Sequence, residues 1–400
     1  MASCCSSNLQ MSAFGVMQVY YVQTFLSHSS VSAISWIGSI QTLLDLTLGA
    51  FLGPFLDRGY LRHVVIGGST LFVIWYPEKY YQVLLSQGIG MGLGIGSIFL
   101  PTSVLISQHF KRRKALAMGI VPAGGSLGAV VFSIALNYLF NGSLGFGWSI
   151  RVTAFVCLSL LLVGNLLLFD PHSARDDPTA QDVQAKPAYT NGASSEGANE
   201  KDLDASAEPA EHDKDTSPPL LDSKYVCILV QGFLTGLGLW FPSSYVQLFA
   251  EQKGVDQQLS FYSIAILNVA NALGRILPNW LGDRWGALEV YVPCLVLNSG
   301  LQFALLGCST SYGLVLFTIF YGFFSGAAVS LYLPAVASIS AEDVSIGKRM
   351  GIALFPVGIA GLIGTPIGGA LIGHGYVWWK GIVFAAVSRR LSEPGRSCRY

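Results

Sequence analysis

Stretches of mainly apolar residues recur along the chain, each ended by a short turn that carries charge. A helix needs about 20 such residues, at roughly 1.5 Å apiece, to cross the hydrocarbon core of a bilayer. Runs at 11–26, 33–56, 63–75, 81–108, 115–140 and 150–169 fit this pattern. A second set follows at 224–249, 259–281, 288–307, 312–339, 350–373 and 377–388. The spacing predicts an all-α integral membrane protein of about twelve segments. Between the two sets, residues 171–222 are rich in Asp, Glu, Ala, Ser and Pro, too polar to bury a core, and read as a disordered linker. The predicted organisation is an N-terminal transmembrane half over 1–170, a linker over 171–222, a C-terminal half over 223–388 and a tail over 389–400.

Composition agrees with this reading. Hydrophobic residues make up 52% of the 400 and charged residues 12%, where soluble domains carry about a quarter charged, and mean hydropathy is +0.52. The net charge of +0 hides an asymmetry, because 13 of the 23 acids lie between Asp170 and Asp222 with only four bases among them. The rest of the chain is basic, and its bases set the orientation. With a cytoplasmic N-terminus, the inside loops receive Arg58, Arg62, Lys111, Arg112, Arg113, Lys114, Arg284, Lys348 and Arg349, whereas the outside receives Lys79, Arg151, Lys253 and Lys380. Both termini and the linker are then cytoplasmic. The sequon Asn141-Gly142-Ser143 falls in an outside loop, where glycosylation of Asn141 and chance occurrence are equally good accounts.

The same order of events occurs twice. Asp57-Arg58-Gly59 follows the second segment and Asp283-Arg284-Trp285-Gly286 follows the eighth, an offset of 226 residues from Asp57 to Asp283. Leu100-Pro101 and Leu333-Pro334 lie in the fourth and tenth segments at an offset of 233 residues. An acid and arginines at the cytoplasmic mouth can pair across neighbouring helices in one state and part in another. Asp57, Arg58, Arg62, Asp283 and Arg284 are therefore candidate gate residues, the alternative being solvated turns that only set orientation.

Within the segments, polar residues are few. Arg275 is the strongly basic residue well inside the second half, where a guanidinium needs a partner or a wet cavity, and its fork suits both oxygens of a carboxylate. Contact with an anionic substrate competes there with snorkelling or a structural ion pair. Asn268 and Asn271, seven and four residues earlier, share its helical face. Asp45 is the acid inside the second segment, either a proton relay or a helix-packing hydrogen-bond donor. Gln18, Tyr20 and Tyr21 in the first segment and Trp240, Tyr245, Tyr332 and Phe355 in the second half are further candidates to line a cavity. The glycines at 88, 90, 92, 94 and 96 lie inside an apolar run with no strand before it, so they are no dinucleotide site. Neither a Walker, a His-Glu-x-x-His nor a Gly-x-Ser-x-Gly motif occurs, which gives enzymatic, ATP-driven, metal or cofactor chemistry no support, and nothing points to nucleic acid.

Residues Gly53 to Arg62 resemble the loop motif of major facilitators, G-x-L-x-D-R-x-G-x-R. Ser32 to Ile40, Phe110 to Gly119 and the Gly274-Arg275 pair are similar to signatures of the monocarboxylate porters, and of their fungal branch in particular. The resemblance implies the major facilitator fold of two six-helix halves, alternating access, and an organic anion near Arg275, often moved with a proton. It leaves secondary-metabolite efflux as the alternative cargo reading, and a non-transporting sensor or degenerate copy as one of another class. The plasma membrane is the expected location, with the vacuolar membrane as competitor. The chain departs from the family in two places. It has no Lys or Arg in its first 55 residues, so it lacks the intramembrane lysine of proton-coupled members. It also has Asn271 where those members carry an aspartate. Both ends read as shortened against the family pattern.

Overall fold

The computed structural model describes residues 17–22, 30–57, 80–97, 103, 106, 110, 113–141, 145–167, 222–339, 346–373 and 375–392. Among them every regular element is a helix. Helix α1 is Val31–Asp57, and α2 spans 80–97 with a π-helical stretch at Leu84–Met91. Helices α3, Lys114–Asn141, and α4, Gly145–Leu167, complete the first half. The second half contains α5 Ser223–Leu239, α6 Phe241–Gln252, α7 Gln257–Trp285, α8 Ala287–Ala304, α9 Ser311–Ile339, α10 Ile346–Ile372 and α11 Trp378–Leu391. The predicted segment 63–75, and the predicted linker except Asp222, lie outside the described residues. Seven of the described helical stretches are long and apolar enough to cross a membrane, α5 with α6 counting as one.

Local sequence explains where helices stop. The predicted run 224–249 is divided at Trp240, because Pro242 sits in the first turn of α6 and brings no N–H to continue the ladder of α5. Asp256 opens α7 by accepting from the amides of Gln258 and Leu259 at 3.1 and 3.2 Å, the usual N-cap arrangement. Gly286 closes α7 at φ 102°, a conformation that glycine adopts without a Cβ penalty, and α8 begins at the next residue. Helix α11 continues through Leu391, three residues past the boundary that the sequence predicts for the tail.

In lipid there is little hydrophobic force between helices, so close packing must hold them together. Glycine supplies it. A Cβ on Gly274 would run into the Phe323 carbonyl where α7 crosses α9, and one on Gly364 into the Leu237 carbonyl where α10 crosses α5. Two seams join the halves, α1 against α10 and α3 against α7. Helix α1 ends at the repeated aspartate and α7 carries it in its last turn, so the seams are equivalent positions of a two-fold repeat. One buried cluster includes Ile34, Tyr245, Phe317 and Tyr321, and another Met118, Tyr225, Leu331 and Tyr332.

Candidate functional site

The α3–α7 seam carries a line of polar contacts from one end to the other. At one end Asp283 accepts from the backbone amides of Ala115 and Leu116, at 2.9 Å to Oδ1 and 3.0 Å to Oδ2. Those amides belong to the first turn of α3, where unpaired N–H groups and the helix dipole favour negative charge. A carboxylate from one half thus closes the helix end of the other. Arg284 lies with its guanidinium 4.0 Å from the centroid of the Trp280 ring on its own helix. Removing the charge alone, as in Asp283→Asn, gives up about 1–2 kcal/mol at this end. Amide hydrogen exchange at Ala115 and Leu116 is then expected to quicken about tenfold, and unchanged exchange would show that the contact does not hold the seam.

One, two and three turns farther along, α7 presents Asn279, Arg275 and Asn271 in succession. Asn279 donates to Ser330 Oγ at 2.6 Å and to the Arg275 carbonyl at 2.7 Å. Arg275 is 6% exposed. Its Nε donates to Asn271 Oδ1 at 2.8 Å and its Nη1 to the Pro122 carbonyl of α3 at 3.0 Å. Asn271 Oδ1 also accepts from Ser126 of α3 at 2.9 Å, while Asn271 Nδ2 donates to Ser325 of α9 at 3.1 Å. The Arg275 and Asn271 side chains therefore connect both halves. Gly119 makes this possible, since a Cβ there would collide with the Arg275 carbonyl and stand 2.8 Å from Asn279 Nδ2. At the opposite end from Asp283 the Tyr138 and Tyr262 hydroxyls meet at 3.1 Å.

Asn268 shares the helical face but not the network, because its Nδ2 donates to the Ile264 carbonyl at 2.9 Å. On the α1–α10 seam, Ser32 donates to the Pro366 carbonyl at 3.0 Å and Ser39 meets Thr365 at 2.8 Å. Ser35 meets the Tyr245 hydroxyl at 2.5 Å and accepts from Gln18 Nε2 at 3.4 Å. Gln18 thus reaches this seam from the first segment, whereas Tyr20 packs half-buried against the core. Tyr332 is buried with its hydroxyl donating to the Ala353 carbonyl at 2.9 Å, and Phe355 is exposed. Arg58, Arg62 and the side chains of Asp57 and Asn141 lie outside the described residues.

Arg275 has company that the sequence reading does not provide for. Arg349 and Arg389 are buried as well. Arg349 lies 5.0 Å from the Tyr225 ring centroid. Arg389 donates to Gln302 Oε1 at 3.3 Å and to the Tyr321 hydroxyl at 3.1 Å. Both fall at the charged margins of apolar runs, where the pattern alone assigns them to water. Arg275 stands apart because its contacts cross between the halves. Two of its partners are neutral oxygens, which hold a guanidinium less strongly than a carboxylate does and can be surrendered to an anion.

A profile of the Major Facilitator Superfamily matches residues 1–278. The MFS-type transporter dbaD of Emericella nidulans is 34% identical over 373 residues, 92% of this chain and 76% of that protein. The agnestins efflux protein AgnL12 of Paecilomyces divaricatus is 34% identical over 371 residues, 91% and 78% of the two chains. The aspyridones efflux protein apdF of Emericella nidulans is 30% identical over 365 residues, 90% and 68%. Among solved structures, a mutant of the nucleoside transporter NupG matches with TM-score 0.65 at 15% identity, over 98% of this chain and 96% of that one, a likeness of fold.

Proposed function

The chain belongs to the major facilitator superfamily and is a membrane transporter, and on that premise we propose that it exports an anionic, carboxylated secondary metabolite by alternating access between its halves. The observation that carries this reading is Arg275, a buried guanidinium on the α3–α7 seam with neutral oxygens of both halves as partners. An incoming carboxylate offers Arg275 a stronger, bidentate partner. Taking it loosens the bond to Pro122, so occupancy and seam opening are coupled. Asn271 orients the guanidinium, Asn268 shares its helical face, and Gln18 is a polar group at the α1–α10 seam. Asp283 is the cytoplasmic latch of this seam, and the sequence repeat gives Asp57, Arg58 and Arg62 the same role for the other half. The efflux proteins among the relatives support export, and the resemblance to monocarboxylate porters supports the anionic cargo. The chain then sits in the plasma membrane with both termini cytoplasmic.

The test is export of labelled carboxylated polyketides, and of their methyl esters, from cells expressing the full chain or an empty vector. Acids are expected to leave at least tenfold faster with the protein present, and esters at the background rate. Equal export of acids and esters would remove the anionic cargo, and export of neither from cells with inserted protein would remove the efflux reading.

A further inference from the structure

The second half encloses a buried cation away from the seams. Arg389 of α11 is 2% exposed, and its Nη1 donates to Gln302 Oε1 of α8 and to the Tyr321 hydroxyl of α9. Its Nη2 is buried with no hydrogen-bond partner. Neither partner of Nη1 offsets the charge. Gln302 is a neutral amide that donates from Nε2 to the Gly238 carbonyl at 3.0 Å, and Tyr321 is a neutral phenol that donates to the Leu239 carbonyl at 2.8 Å. Of the described acids in this half, Asp222, Asp256 and Glu289 are exposed, Glu251 accepts from Gln247, and Asp283 is bound to the first turn of α3. A guanidinium does not shed its proton, so the positive charge persists where a membrane makes it costly.

A second unpartnered group stands beside it. Asn298 of α8 is 0% exposed and neither polar atom of its amide is bonded. At about 100° per residue, Tyr291, Asn298 and Gln302 project from α8 within roughly 40° of one another. The two outer members of this stripe are tied to Arg389. The Tyr291 hydroxyl donates to Gln231 of α5, Gln231 donates to Thr235, Thr235 to Ser392, and Ser392 to the Arg389 carbonyl. Gln302 meets the guanidinium directly. Asn298 lies between them on the same face. Gly238 of α5 admits the Arg389 stem, since a Cβ there would stand 3.0 Å from Arg389 Cγ.

We propose that Arg389 Nη2 and Asn298 Nδ2 hold a monovalent inorganic anion of chloride size, a resident counter-ion inside the second half. Charge selects the ion, because one negative charge balances one guanidinium, whereas phosphate or sulfate would bring an excess into a dry place. Size selects it too. Arg389, Asn298, Gln302 and Tyr321 are all buried, which leaves no entry for a carboxylated metabolite. The N–H groups of a guanidinium and an amide are donors that such an ion accepts. A water beside the ion completes Asn298 Oδ1, which an anion alone would not. The site is separate from the cargo site, because the described partners of Arg389 lie on α8, α9 and its own helix, and none lies in the first half. An ion bound by the folded state alone stabilises it in proportion to the logarithm of its concentration.

Thermal unfolding of the purified full chain tests this without any cargo, with chloride exchanged for gluconate at constant ionic strength. Gluconate is too large for the site. The melting midpoint is expected to rise by about 3 °C or more over a hundredfold increase in chloride. Arg389→Gln is expected to abolish the rise, and Asn298→Leu to increase the chloride needed for half of it by about tenfold or more. If Arg389→Gln does not fold, the shift in Asn298→Leu decides. Equal midpoints of the wild type in chloride and gluconate, or a rise that either variant retains unchanged, overturns the site and leaves the guanidinium to buried water.

Discussion

Arg275→Ala is expected to cut export of carboxylated metabolites by roughly 30-fold or more, with the amount of protein in the membrane unchanged. Losing one partner of a buried, hydrogen-bonded charge contact costs about 2–5 kcal/mol, and each 1.4 kcal/mol is a factor of ten. The fold should tolerate the change because the groups left behind keep other work. Asn271 Oδ1 still accepts from Ser126, and Asn271 Nδ2 still donates to Ser325. Arg275→Lys is expected to restore little, since an ammonium is a point charge that cannot engage two carboxylate oxygens and the Pro122 carbonyl with a rigid fork. Export rates normalised to surface protein decide the matter. A variant that exports like the wild type would leave Arg275 a packing residue.

Gly119→Ala is expected to disable the carrier through the seam itself, without touching a charged group. The added Cβ meets the Arg275 carbonyl, which is backbone, and stands 2.9 Å from the Asn279 Cβ. Backbone in a helix cannot yield as the tip of a side chain does, so α3 must draw away from α7. Overpacking of this kind costs about 1–3 kcal/mol. Here it also stretches the Arg275–Pro122 and Ser126–Asn271 contacts. Each half keeps its own core, so the protein still inserts, but export is expected to fall at least tenfold and exchange at Ala115 and Leu116 to rise with it. Gly300→Ala is the control, because nothing lies within 4 Å of a Cβ at that position. Equal behaviour of the two variants would mean that the seam is softer than its geometry indicates.

Periodicity and charge read the architecture well because a bilayer imposes a length on every spanning helix and a polarity on every loop. The repeated aspartates stand out in the sequence for the same reason, and Asp283 does reach across the seam. What it reaches is invisible in the pattern, since a backbone amide carries no sequence signature. Arg275 shows the same limit. Its depth follows from the apolar run around it, but its contact with the Pro122 carbonyl spans 153 residues and depends on Gly119 being small. Asn268 and Asn271 look equivalent on a helical face, yet one side chain turns back to its own helix and the other joins three helices. Burial of Arg349 and Arg389 at the margins of their helices is likewise set by tyrosines and a glutamine on other helices.

Only Gly286 separates α7 from α8, and Asp283 lies within one turn of it. A joint of one residue has no slack, so any tilt of α7 is delivered at once to α8 and to the helices packed on it. Asp283 then acts at the short arm of a lever. A displacement of an ångström or so at the Asp283 contact becomes a larger sweep at the far end of α7, where Tyr262 meets Tyr138. A single hydrogen-bonded carboxylate can in this way bias the position of a whole half, and the two ends of the seam are mechanically coupled through α7.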